Sequence, residues 1–136
     1  MKILVIDAQG GGIGKQIIAA IRKKNYQNVT VTAVGTNSVA TGNMLKAGAD
    51  IAVTGENPVI VNSRNADVII GPIGIVIADA LYGEITPKMA QAIAQSPARR
   101  LLLPVNKCDN IIIGVDDLSL SHLIEMTLAE LDRLLA

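Results

Sequence analysis

Short aliphatic runs alternate with helix-length segments along most of this chain, and that alternation leaves few folds open to it. The runs are Lys2 to Ile6, Val29 to Val34, Ile51 to Thr54, Asp67 to Gly71 and Arg100 to Val105. The first is apolar without a period of two, as expected of a strand buried on both faces. The second, VTVTAV, is rich in β-branched residues that suit a pleated sheet. Between them Ile13, Ile17, Ile18 and Ile21 share one helical face, with Lys15, Gln16, Arg22, Lys23 and Lys24 largely elsewhere. Lys23 and Lys24 stand at the C-terminal end, where the helix dipole favours cations. Thr36, Asn37 and Ser38 are each able to cap a second helix, from about Val39 to Ala47, which Gly48 ends.

Pro58 to Asn65 carries both signals. Asn57 followed by Pro58 argues for a helix and the β-branched content argues for a strand; we take it as a short helix. Val68 to Gly83 reads as a buried strand leading through Pro72-Ile73-Gly74 into a helix. Its glycine-proline break and Asp79 argue against a membrane span. Thr86-Pro87 starts a further helix and Ser96-Pro97 ends it. Pro104 cannot donate to a ladder, so it marks a strand end or a sheet edge. Asn106 to Asp109 is too short for a parallel crossover, so Ile111 to Val115 either returns antiparallel or stays unpaired. Asp116 and Asp117 precede the last helix, about Leu118 to Leu135, and complement its dipole. The expected fold is a single α/β domain over 1–136. It is Rossmann-like and doubly wound, a mainly parallel sheet of about five strands with helices on both faces and a C-terminal helix.

Each expected parallel strand exits into glycine or short polar residues. The exits are Asp7-Ala8-Gln9-Gly10, Gly35-Thr36-Asn37, Thr54-Gly55-Glu56-Asn57, Gly71-Pro72-Ile73-Gly74 and Asn106-Lys107. In a parallel sheet they share one edge, and ligands of doubly wound folds bind there, where strand order reverses. The candidate ligand contacts are therefore Gln9, Gly10, Gly11, Gly12, Ile13 and Gly14, with Gly35, Thr36 and Asn37, and with Gly71, Pro72, Ile73 and Gly74. Glycine lets a backbone approach a ligand closely, and the helix that follows offers unpaired N–H groups to an anion. Lys15 stands in that first turn, where a phosphate would offset its conflict with the dipole and a solvated side chain would equally avoid it.

Known glycine-rich templates fit only in part. Gly10-Gly11-Gly12 opens a GxGxxG pattern, but Lys15 stands where the third glycine belongs. Started from Gly12 and Gly14, the pattern puts its third glycine on Ile17. Gly14-Lys15 fits a P-loop, yet Gln9 replaces its first glycine and Gln16 its magnesium-binding hydroxyl. A dinucleotide site calls for an acidic residue at the end of the second strand, or a nearby arginine, and this strand ends in Gly35-Thr36-Asn37. The cofactor thus stays open between NAD(P) and another nucleotide.

Twelve basic residues balance twelve acidic ones, and the only aromatic residues are Tyr26 and Tyr82. Neither the charge nor the ring content favours nucleic acid or an acidic membrane surface as a partner. The lone Cys108 forms no internal disulfide, and MKILVID reads as a strand rather than a signal peptide; both suit a cytoplasmic protein. Cys108 follows Lys107, a setting that lowers a thiol pKa, but it reads first as an ordinary turn thiol. His122 and Glu84 read as solvated. Asp79, in an apolar run, faces outward, caps a helix or meets a ligand. No cluster with metal-ligand spacing is present, so no metal is expected. Leu120, Ile124, Leu128, Leu131 and Leu135 stripe the last helix, which packs on its own sheet or joins two copies.

Gly12-Ile13-Gly14 resembles the end of the TGxxxGIG turn of short-chain dehydrogenases. That resemblance brings no catalysis: four residues after Tyr26 and Tyr82 stand Thr30 and Thr86, not the lysine those enzymes use. The set VIDAQGGGIGK, GTN, LKAGAD, TGEN, IIGPIGI and GEITPKMA resembles, over nearly the whole chain, a family of short bacterial Rossmann-like proteins of unknown function. It implies the fold and no activity. The expectation is a small nucleotide- or phosphate-ligand-binding protein of undetermined reaction. The alternative is a non-catalytic regulatory or partner-binding module, homodimeric through the last helix.

Overall fold

The computed structural model describes residues 1–107 and 109–136, so the reading of Cys108 lies outside the described residues. Five strands form one parallel sheet in the order β3-β2-β1-β4-β5: β1 (Lys2–Asp7), β2 (Thr30–Gly35), β3 (Ile51–Thr54), β4 (Val68–Pro72) and β5 (Arg99–Leu103). Strand order reverses between β1 and β4, the doubly wound topology read from the alternation. Register brings the exits level: Asp7 pairs with Gly35, and Gly35 with Thr54.

β1 is central and buried on both faces. Ile3 and Val5 enter one core with Ile17, Ile18, Ile21 and Met44, under α1 (Gly12–Lys24), α2 (Ser38–Lys46) and α5 (Leu120–Leu135). Leu4 and Ile6 enter the other core with Val59, Ile75, Met89 and Ile93, under α3 (Glu56–Ser63) and α4 (Pro87–Ala94). Each fully buried aliphatic side chain of this size contributes about 1.5–3 kcal/mol, so β1 anchors both layers. At the N-terminal pole α5 is tied to the end of α1. The Tyr26 hydroxyl donates to Asp132 Oδ1 at 2.7 Å, and Lys24 Nζ pairs with Asp132 Oδ2 at 2.9 Å. Burial pushes the Tyr26 hydroxyl pKa up, and the bond to Asp132 adds to the rise.

Three elements differ from expectation. After β4 the chain makes only a 3-10 turn, Ile73–Val76, and no helix precedes Thr86. The β-branched Ile73, Ile75, Val76 and Ile77 crowd a helix, and Ile77 is already extended. The ambiguous segment is helical but starts earlier, with Gly55 at its cap and Pro58 in the first turn, where a missing N–H costs nothing. The last helix starts at Leu120 because the Ser119 hydroxyl accepts from the His122 N–H at 3.2 Å. Ile111 to Val115 joins no strand. Among the described residues no helix is long and apolar enough to cross a membrane.

Candidate ligand site at the sheet edge

β1 delivers Asp7 to the sheet edge as a buried carboxylate, 3% exposed. Its Oδ1 accepts from the Ala8 N–H at 2.8 Å and its Oδ2 from the Gly14 N–H at 2.7 Å. Burial pushes its pKa up, the N–H groups of Gly14 and Ala8 pull it back, and Glu84 adds a repulsive push. The N-terminus of α1 is therefore already capped by a carboxyl group of the chain itself.

The glycines of the turn fall into two groups. A Cβ on Gly11 would lie 2.7 Å from the Ala40 Cα, and Gly11 also has a φ of 70°. Only glycine meets both demands. A Cβ on Gly14 would meet Met44 Sδ at 2.5 Å, one on Gly71 the Ile6 carbonyl at 2.5 Å, and one on Gly74 Leu81 at 3.3 Å. Gly35 has Thr41 in the same place. Protein occupies the space beside all five, and at Gly11, Gly35 and Gly71 the neighbour is backbone that cannot give way. Gly10 and Gly12 have nothing within 4 Å, and their N–H groups meet no acceptor among the described residues. Ile13 is half-buried against the core, Pro72 is buried and Ile73 half-buried.

Gln9, Thr36 and Asn37 do come together, around a residue read from the sequence as solvated. Glu84 is half-buried. Its Oε1 accepts from the Gln9 N–H at 3.0 Å, the Thr36 hydroxyl at 2.6 Å and the Asn37 side-chain amide at 2.8 Å. Desolvation would raise the Glu84 pKa, but the bonds from Thr36, Gln9 and Asn37 together outweigh it and hold it below the ordinary value. Asn37 also caps α2 by accepting from the Ala40 N–H at 2.9 Å, and Asn43 donates to the Gly10 carbonyl at 2.7 Å. The two strand exits are thereby fixed to each other.

Beside this cluster, where strand order reverses, lies a crevice of about 570 Å³. Gln9, Asp79, Ala80, Leu81, Tyr82, Asn106 and Asp109 line it, and all but Ala80 have a positive φ, from 49° to 64°. The remaining non-glycine residues with positive φ among those described, Asn25 and Asn28, sit at the opposite pole. For Leu, Tyr and Gln this conformation costs about 1–2 kcal/mol each, and such strain concentrates where a site dictates backbone geometry. Tyr82 is 98% exposed beside the crevice, while Leu81 is buried against Gly74. Asp79 is exposed, which answers the question its apolar setting raised. Sequence reasoning missed Glu84, Leu81 and Tyr82. The one signal for them was an aromatic residue before a glycine, Tyr82-Gly83, in a chain with two aromatic residues.

Fold and edge together define a doubly wound α/β domain with a crevice at its switch point, the ligand-binding position of that class. The chain belongs to the family described as Domain of unknown function (DUF3842), whose model matches residues 2–136. That family model covers the chain where the likeness to short-chain dehydrogenases covers one turn. No curated protein matches it. Among solved structures it is similar to a dodecameric FMN-dependent Ubix-like decarboxylase from Escherichia coli O157:H7. The identity is 14% and the TM-score 0.48, covering 97% of this chain and 95% of that one.

Proposed function

We propose that this protein binds a small phosphorylated ligand of nucleotide type across the crevice at the switch point. The observation that carries the reading is the gathering of six left-handed residues around that one crevice, three of which, Gln9, Leu81 and Tyr82, are of types that disfavour this backbone. The open N–H groups of Gly10 and Gly12 suit a phosphate. Asp79, Asp109 and the Tyr82 ring suit the hydroxyls, amino group and ring of the rest of a nucleotide. The candidate contacts reduce to Gln9, Gly10, Gly12, Thr36 and Asn37 on one side and Asp79, Tyr82 and Asn106 on the other. Calorimetry and thermal shift with ADP, NAD(H), NADP(H), FMN and S-adenosylmethionine test this. A rise in Tm with at least one of them is expected, and no response to any at millimolar concentration sinks the reading.

A second reading, self-association, is favoured by one observation. Of the stripe on α5, Ile124 and Leu131 are buried in the chain's own core, and Leu120 and Leu128 pack against it. The exposed apolar surface lies nearby instead, at Ile111, Ile113, Val115, Leu118 and Met126. This surface stands beside β5, an edge strand. Light scattering of the wild type and of Ile113→Asp tests it; identical monomers would remove it.

A further inference from the structure

Three donors from two strand exits converge on a single oxygen. The Gln9 N–H leaves β1, the Thr36 hydroxyl and Asn37 amide leave β2, and all three reach Glu84 Oε1, which arrives from the connection between β4 and α4. Donors gathered this way form an oxyanion site, and here a carboxylate of the chain fills it. The Gly10 N–H follows directly on the Gln9 N–H and is open, so the donors outnumber what one carboxylate oxygen uses.

The occupant is built to be exchanged. Glu84 Oε2 has no partner among the described residues, and the side chain is half-buried. The turn that carries it is held without it. The Asp79 N–H donates to the Ile85 carbonyl at 2.8 Å, the Gly83 N–H donates to the Asp79 carbonyl at 3.1 Å, and Leu81 and Ile85 are buried. Rotation of the Glu84 side chain alone therefore frees the three donors while the turn stays closed. An entering phosphate oxygen remakes the same three bonds, so the exchange leaves no donor unsatisfied.

We infer that Gln9, Thr36 and Asn37 form a phosphate subsite whose resting occupant is the Glu84 carboxylate, and that the phosphate of the ligand takes its place. This rests on the proposed binding of a phosphorylated ligand and adds how that group is recognised and gated. In the ligand-free protein Glu84 also repels anions too small to compensate for its displacement.

Glu84→Ala and Glu84→Gln test it, by thermal unfolding at constant ionic strength in sodium chloride, sodium acetate and inorganic phosphate, and by calorimetry with ADP. Glu84→Ala is expected to melt below the wild type in chloride and to regain about half of that loss in millimolar phosphate, while the wild type hardly responds. ADP is expected to bind Glu84→Ala about tenfold tighter than the wild type. Equal behaviour of Glu84→Ala in all three salts would make Glu84 a fixed strut and overturn the proposal. Weaker ADP binding by Glu84→Ala would make Glu84 a ligand contact and overturn it as well. Should Glu84→Ala not fold, Glu84→Gln keeps an oxygen for the three donors without the charge. Phosphate must then stabilise it more than the wild type, and an equal response overturns the proposal. Phosphate rescue with no ADP binding would keep the subsite and remove the nucleotide reading.

Discussion

The turn after β1 and the turn after β4 leave neighbouring strands at the same edge, yet they are built in opposite ways. The first, from Asp7 to Gly14, is rich in glycine and free of strain at most positions. Its glycines are set by packing at Gly11 and Gly14, and its helix terminus is filled by Asp7. The second, from Ile77 to Ile85, has one glycine and puts Asp79, Leu81 and Tyr82 in a conformation that glycine would adopt at no cost. The glycine-rich turn is a packing solution at Gly11 and Gly14 and open at Gly10 and Gly12. The turn with ordinary residues holds strain, faces the crevice and supplies Glu84. Gly11 and Gly14 therefore mark where the protein crowds itself, and side chains in left-handed backbone mark where something else sets the geometry.

Substitutions can break that contrast, and the largest effect belongs to the packing turn. Gly11→Ala drives a Cβ into the Ala40 backbone at positive φ and should cost about 3 kcal/mol or more, seen as a large fall in the denaturation midpoint. Glu84→Ala leaves three donors without their acceptor and should cost about 2 kcal/mol by the same measurement. Tyr82→Gly removes a left-handed tyrosine and should stabilise the fold by about 0.5 kcal/mol while weakening ligand binding. Gly10→Ala meets open space and should change stability by less than about 0.5 kcal/mol, yet obstruct the ligand.

Acid separates the two carboxylates. The Glu84 pKa lies below its ordinary 4.5 in the fold, so its contribution is complete above that value and is lost as pH falls through the depressed one. The stability gap between the wild type and Glu84→Gln should close over that acid range. Asp7 runs the other way: its pKa is raised from 3.8, so protonation on acidification favours the folded state. A gap that widened on acidification would reverse the contrast.

The architecture was legible because strand and helix periods alternate cleanly and because parallel strands need both faces apolar. The shared edge was legible from the exits, and the exits single out Gln9, Thr36 and Asn37, which meet around Glu84. Their partner was not, because Glu84 is 75 residues from Gln9 and sits in a segment with no period. Nothing in the residue types announces a left-handed Leu81 or Tyr82, since those side chains disfavour it; only tertiary packing imposes it. Gly71 ends the β4 run and is a candidate contact by its place at the exit; a Cβ there would meet the Ile6 carbonyl, so packing alone accounts for the glycine.

The two tyrosines sit at opposite ends of the molecule. Tyr26 is tied to Asp132 where α1 meets α5, and Tyr82 stands bare beside the crevice. With no tryptophan in the chain, intrinsic ultraviolet emission comes from these two rings alone. A soluble quencher reaches Tyr82 directly, whereas Tyr26 reports the docking of the last helix. The protein thus carries two optical probes of its own, one for occupancy at the edge and one for the integrity of the opposite pole. A single unlabelled sample can tell ligand entry from partial unfolding.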